Sequence, residues 1–240
     1  MPTDHLPTPE RVLVVAAHPD DIEFGAAGTV ARWIDEGATA HYLLVTRGDK
    51  GSDDPTADAA RLAVEREREQ RAAAAEIGVS GVDFLDEPDG QVQPTMQLRE
   101  RITFAIRAFR PEVVMTHDPT VIFVNNEWVN HPDHRAVGLS TVDAVFPTAR
   151  DPLNFHDHIT EHGLQAWKVA ELYLWSTNEA NQVVDITATL DRKIGALACH
   201  QTQFRSFDET ARWLRRRSEE LGDRAGYGAA EAFRRVMLAR

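Results

Sequence analysis

The chain has 240 residues, 42% of them apolar, and a formal net charge of -12. That length suits one α/β domain over residues 1–240, with residues 1–10 as a flexible N-terminal arm. The acidic balance argues against nucleic acid or an anionic membrane surface as the main partner. Cys199 is the only cysteine, so no intrachain disulfide can form. Met1–Glu10 has neither a basic start nor an apolar stretch, and no apolar run approaches the roughly 18 residues of a membrane span. A soluble cytoplasmic protein is therefore expected.

Arg11–Ala17 (RVLVVAA) is a continuous apolar run that reads as a buried parallel strand. His18-Pro19-Asp20-Asp21 follows at once, and a helix is expected from there to about Glu36, ended by Gly37. Thr39–Thr46 is the next strand, Arg47–Asp58 a polar loop, and Ala59–Ile77 a helix closed by Gly78. Gly81–Asp86 holds a short strand, and Glu87–Gly90 a turn. Thr95–Phe109 reads as a helix, Glu112–Thr116 as a buried strand, Asp118–Asn130 as a loop, and Pro132–Val145 as a helix with proline at its first position. Val169–Trp175 and Gln182–Ile186 are strand-like, and Leu190–Cys199 and Asp208–Leu221 are helical. Alternating strands and helices imply a Rossmann-like, largely parallel sheet with helices on both faces. Sites in such sheets form at the carboxyl ends of strands, where His18 and His117 both stand.

Two segments carry the chemistry: His18-Pro19-Asp20-Asp21 and His131-Pro132-Asp133-His134-Arg135. Imidazole and carboxylate ligate zinc and its neighbours, and a catalytic zinc commonly takes three protein ligands. His18 and Asp21 are three residues apart, so one helical turn brings both to a point. Asp20 then lies beside the metal but off it, where a general base for water belongs. His131 and His134 are also three apart, so one can ligate while the other faces substrate, and Asp133 can orient an imidazole. A lone His-Pro-Asp is equally what a helix cap looks like, but two of them at strand–helix junctions in one chain favour a shared site. His156-Asp157-His158 with His162 has no preceding strand and reads as exposed surface. His117 either lines the pocket or is a hydrogen-bonded structural histidine. No Gly-x-Gly-x-x-Gly turn, P-loop or Gly-x-Ser-x-Gly elbow is present, which disfavours a dinucleotide site and a serine nucleophile.

With these segments the chain resembles the LmbE-like, or PIG-L, family of N-acetylglucosaminyl deacetylases, which includes those of mycothiol and bacillithiol synthesis. The resemblance rests on Ala17–Asp21 (AHPDD), Thr46-Arg47-Gly48 with the loop to Ser52, Arg66 and Glu69, Phe84-Leu85 with Pro88-Asp89-Gly90, and His131–Arg135 (HPDHR). Ala196–Phe204 (ALACHQTQF) and Gly228, Glu231 and Phe233 near the end add to it. It implies that His18, Asp21 and His134 bind the metal, usually Zn2+, with Fe2+ or another divalent ion as the alternative. It implies Asp20 as general base, and His131, with Asp133 behind it, as oxyanion stabiliser or acid. Arg66 would contact the sugar or its acyl group, Asp89 the aglycone side, and His200 belongs with these substrate contacts. The implied substrate is a small amino-sugar conjugate, with no nucleic-acid or membrane partner and with homo-oligomers left open. Some members carry tyrosine and glycine just before the second His-Pro-Asp, where this chain has Val129-Asn130 after Trp128. Competing readings are an amidase on another thiol- or glycoside-conjugate amide, a non-haem iron oxygenase, and a non-catalytic sugar-binding module.

Overall fold

The computed structural model describes residues 7–204 and 206–238. Of the expected N-terminal arm, residues 1–6 lie outside the described residues, whereas Glu10 N–H donates to Glu112 Oε2 at 2.6 Å and the Thr8 hydroxyl to the Glu36 carboxylate. In chain order the strands are β1 (Arg11–Ala16), β2 (Thr39–Thr46), β3 (Gly81–Glu87), β4 (Val113–His117), β5 (Phe123–Val124), β6 (Trp128–Val129), β7 (Glu171–Trp175), β8 (Gln182–Asp185) and β9 (Ala230–Met237). The helices are α1 (Asp21–Gly25), α2 (Ala27–Asp35), α3 (Ala59–Ile77), α4 (Met96–Phe109), α5 (Pro132–Asp143), α6 (Asp157–Thr160), α7 (Leu190–Leu197) and α8 (Phe207–Ala225).

Among the described residues, seven strands form one sheet in the order β3-β2-β1-β4-β7-β9-β8. The first five run parallel, and β9 enters antiparallel between β7 and β8. This is the Rossmann-like, largely parallel arrangement that the alternating pattern predicts. In β1 the apolar run serves two cores because successive side chains point to opposite faces. Val12, Val14 and Ala16 pack with α2 and α3 residues such as Val30 and Ala73, while Leu13, Val15 and Ala17 pack with Leu98, Ile102 and Val137 of α4 and α5. No helix among the described residues is long and apolar enough to cross a membrane.

Four expectations change. The single helix read after His18 is two, broken at Ala26 (φ -145°). Gly25 lies flat against the Trp175 indole, where a Cβ would come within 2.7 Å, and the Glu231 carboxylate accepts from Gly28 N–H (3.0 Å) and Thr29 N–H (2.8 Å), capping the new start. Gly25→Ala is expected to cost about 1–3 kcal/mol by overpacking, read as a lower urea midpoint at unchanged slope. Helix α5 stops at Asp143, because Ala144–Ala149 widens its turns and Phe146 (φ -141°) leaves the helix before Pro147. The 118–130 loop contains the β5–β6 hairpin, whose turn residues Asn125 and Asn126 have φ of 51° and 59°. Strand β9, read from the sequence only as a closing segment, lies inside the sheet. Its polar residues hide it: Glu231 caps α2, and Arg235 pairs with Glu171 at 2.7 Å.

Candidate active site

His18 stands two residues past the end of β1, and its backbone N–H donates to Asp21 Oδ2 at 2.7 Å. Its ring lies among three carboxylates: Nδ1 is 3.4 Å from Asp21 Oδ2, and Nε2 is 3.1 Å from Asp89 Oδ1 and 3.2 Å from Asp133 Oδ2. Burial works against the charged ring, but hydrogen bonds to Asp133, Asp21 and Asp89 outweigh it and hold His18 well above the usual histidine range. Asp21 reaches further imidazoles, with Oδ1 3.0 Å from His134 Nε2 and Oδ2 3.4 Å from His117 Nε2. Burial alone would raise Asp21; His134 and His117 hold it well below the carboxylate range.

His131 stands before α5, where its Nδ1 accepts Asp133 N–H at 3.2 Å. The helix-cap reading is thus correct for His131, although its ring also meets the His18 ring edge-on at 4.8 Å. Asp133 does not stand behind His131 as expected. Its carboxylate turns to His18 and accepts Gly90 N–H (2.7 Å) and Val92 N–H (3.2 Å), because it is buried in the first turn of α5 beside the 90–92 segment. An outer carboxylate of this kind typically tunes metal affinity. Asp133→Asn is expected to weaken metal binding roughly 10–100-fold, checked by competition with a chelating dye.

His117, at the end of β4, is the residue that sequence reasoning left undecided. Its ring stacks on His134 (4.1 Å, 19°), and its Nε2 accepts Ala17 N–H at 3.2 Å. Burial, helped by the His134 charge, pushes it down to about 4. The signal that finds it is position: β4 neighbours β1, so their carboxyl ends place His117 beside the His18 segment.

Among the described residues, three groups here could hold a metal ion: His18, His131 and His134; Asp21, His117 and His134; and His18, Asp89 and Asp133. The expected ligands His18, Asp21 and His134 are joined through Asp21, a carboxylate within 3.0–3.4 Å of an imidazole on either side. That donor chemistry fits a divalent ion of the zinc or iron(II) kind. Away from the site, Glu100, Asp157 and His158 also cluster. His158 is buried rather than on the surface, its ring stacked on Phe155 at 5.5 Å and met edge-on by Phe104 at 5.2 Å.

Asp20 has a left-handed backbone (φ 88°) and precedes α1 without capping it through its side chain. Burial pushes its carboxyl up to about 6, with Arg66 opposing and the Asp21 charge adding to the rise. Arg66 is not free for substrate. It is 3% exposed, and its guanidinium donates to Gly48 O (2.8 Å), Pro19 O (2.7 Å) and Asp20 Oδ2 (3.4 Å). Glycine is required at 48, where φ is 67° and a Cβ would stand 2.2 Å from Arg66 Nη1. Asp89 is buried against His18 and the Lys50 N–H (2.9 Å) rather than directed at an aglycone. His200 has no exposed surface and bonds Glu23, so it too stands behind the site. Asn130 is buried, with its side chain donating to Val121 O at 2.9 Å.

A cleft of about 950 Å³ reaches Asp21, His117 and His134, and Trp128 and Trp213 stand on its walls. Asp20, His18 and His131 are not among its lining residues.

Residues 13–145 match the family described as PIG-L, GlcNAc-PI de-N-acetylase. The chain is 31% identical over 230 residues to a diacetylchitobiose deacetylase of Thermococcus kodakarensis, covering 95% of this chain and 83% of that protein. It is 28% identical over 265 residues to a 1D-myo-inositol 2-acetamido-2-deoxy-alpha-D-glucopyranoside deacetylase of Kineococcus radiotolerans, covering 83% and 70%. An N,N'-diacetylchitobiose deacetylase structure from Pyrococcus horikoshii superposes with a TM-score of 0.86 at 27% identity, covering 95% of this chain and 84% of that one.

Proposed function

The chain belongs to the PIG-L family of de-N-acetylases and is an amide-hydrolysing enzyme, and we propose that its reaction is the metal-dependent removal of an acetyl group from an N-acetylglucosamine-type conjugate. The observation that carries this reading is Asp21 held between His18 and His134 with the partly buried Asp20 carboxyl next to it in the chain. The relatives named above support the substrate class, since their names specify acetamido sugars.

His18, Asp21 and His134 would hold the metal, Zn2+ in this reading. When bound, the metal polarises the acetamide carbonyl and acidifies water. Asp20 takes the proton of the attacking water; a carboxyl pushed up to about 6 is ionised at neutral pH yet basic enough to accept it. His131, one of the site's rings with an exposed position, donates to the developing oxyanion or protonates the departing amine. Burial, the largest cause, lowers His131 from its usual range, which makes its imidazolium a better proton donor. Asp133 and Asp89 orient His18. Trp128 and Trp213 add aromatic side chains to the cleft wall, the kind of surface a pyranose can pack against. We place the enzyme in the cytoplasm, acting on a small molecule without nucleic acid or membrane.

The test is a screen of N-acetylglucosamine conjugates with varied aglycones, run with one defined metal. Acetate and free amine should appear in equal amounts on at least one conjugate and disappear on chelation. Failure to cleave any such amide by enzyme with full metal occupancy would overturn the reading.

A further inference from the structure

Behind Asp20 lies a chain of polar side chains that the reaction above does not use. Gln70, Glu23 and His200 each have no exposed surface. Asp20 N–H donates to Gln70 Oε1 at 3.1 Å, Gln70 Nε2 donates to Glu23 Oε1 at 3.0 Å, and His200 Nε2 lies 3.1 Å from Glu23 Oε2. The three come from α3, α1 and the segment after α7, so only the tertiary fold assembles them. A carboxylate with no exposure is costly to bury unless every partner is in place. That cost argues for a task beyond filling space.

The task is legible in the geometry of one peptide plane. Pro19 O and Asp20 N–H belong to the same peptide unit. Arg66 holds the oxygen at 2.7 Å, and Gln70 holds the N–H. Arg66 and Gln70 are four residues apart on α3 and so share a face. An amide could present either end to Asp20. Glu23 can only accept, so it draws the NH2 group and leaves Oε1 for the Asp20 N–H. Asp20 needs this restraint, because a left-handed backbone is unfavourable for a non-glycine residue unless its surroundings impose it.

We propose that Gln70, Glu23 and His200 are positioning residues that lock the Pro19–Asp20 peptide plane and thereby aim the Asp20 carboxylate. This rests on the reading of Asp20 as general base.

The test exchanges the pair, using metal-loaded enzyme at pH 8. Gln70→Glu alone sets two carboxylates against each other 3.0 Å apart at the present separation. It should lower kcat on the order of 10²-fold through misplacement, with metal content unchanged and KM within about twofold. Glu23→Gln together with Gln70→Glu restores one acceptor-only group and one amide in mirrored order, and should recover most of the lost kcat. Wild-type kcat in the single variant, or a double variant no better than the single, overturns the proposal. If the pair fails to fold, His200→Leu and His200→Gln decide instead. Leucine leaves Glu23 Oε2 without its donor and should speed hydrogen exchange at the Asp20 amide in metal-free protein, whereas glutamine should restore protection and kcat; equal exchange and turnover in both overturns it. Asp20→Asn, assayed alongside, separates the two failures. Normal turnover there removes the general base, while inactivity there with a fully active Gln70→Glu removes only the positioning chain.

Discussion

Asp20→Asn should reduce turnover by roughly 10²–10⁴-fold, the usual worth of a general base, while the protein keeps its metal and the metal-free form melts higher. The two effects share one cause. Burial raises the Asp20 carboxyl from 3.8 to about 6 in the fold. A group raised in the folded state contributes its stability below its unfolded value, and that contribution is lost as pH rises through about 6. At pH 8 the ionised Asp20 therefore opposes folding by an amount on the order of 2–3 kcal/mol. Asparagine removes the charge and tolerates the left-handed backbone, so metal-free protein should gain roughly 4–10 °C at pH 8 and little at pH 4. Differential scanning calorimetry at the two pH values reads this directly. A variant with full metal and full activity would end the assignment of Asp20 as base; a lower melting temperature at pH 8 would show that Arg66 needs the charge more than burial resists it.

His134→Ala should abolish the thermal response to metal. A ligand at about 100 times its Kd stabilises the folded state by roughly 2.7 kcal/mol, or about 5–10 °C for a chain of this size. The wild type should show that shift with Zn2+, and His134→Ala should not, because the Asp21 carboxylate then has His18 and His117 but no ring at its Oδ1. Metal affinity of the wild type should also rise with pH. His18 is held above its usual range by Asp133, Asp21 and Asp89 against the pull of burial, and it must lose its proton to ligate. While that proton is bound, each pH unit should tighten binding about tenfold, as titration calorimetry in buffers of different ionisation enthalpy would show. Unchanged metal content in His134→Ala would exclude His134 from the ligands.

The elements whose cause is local were legible in the chain. Strand β1 announces itself because a strand covered on both faces is apolar throughout, and α3 because Gly78 ends it in a left-handed turn. The paired His-Pro-Asp segments are local as well, since spacing three apart is enough to suggest that His18 and Asp21 converge. Strand β9 was not legible, because its Glu231 and Arg235 satisfy partners distant in sequence and so break the apolar pattern of an interior strand. The break between α1 and α2 was hidden for the same reason: Trp175 and Glu231, which impose it, are far along the chain.

The sequence by itself determined the sheet class, the chemistry of the donors and the closeness of His18 to Asp21, since each follows from neighbours along the chain. Only the tertiary structure decided the work of the surrounding polar residues. Arg66, Asp89 and His200 are side chains that a sugar could meet, yet they are buried behind the site holding Pro19, Lys50 and Glu23. Asp133 faces His18 instead of His131 for a similar reason, because two backbone N–H groups at Gly90 and Val92 fix its carboxylate there. Whether a polar group meets solvent, substrate or another buried group depends on what packs across from it, and residue type and spacing along the chain do not carry that information.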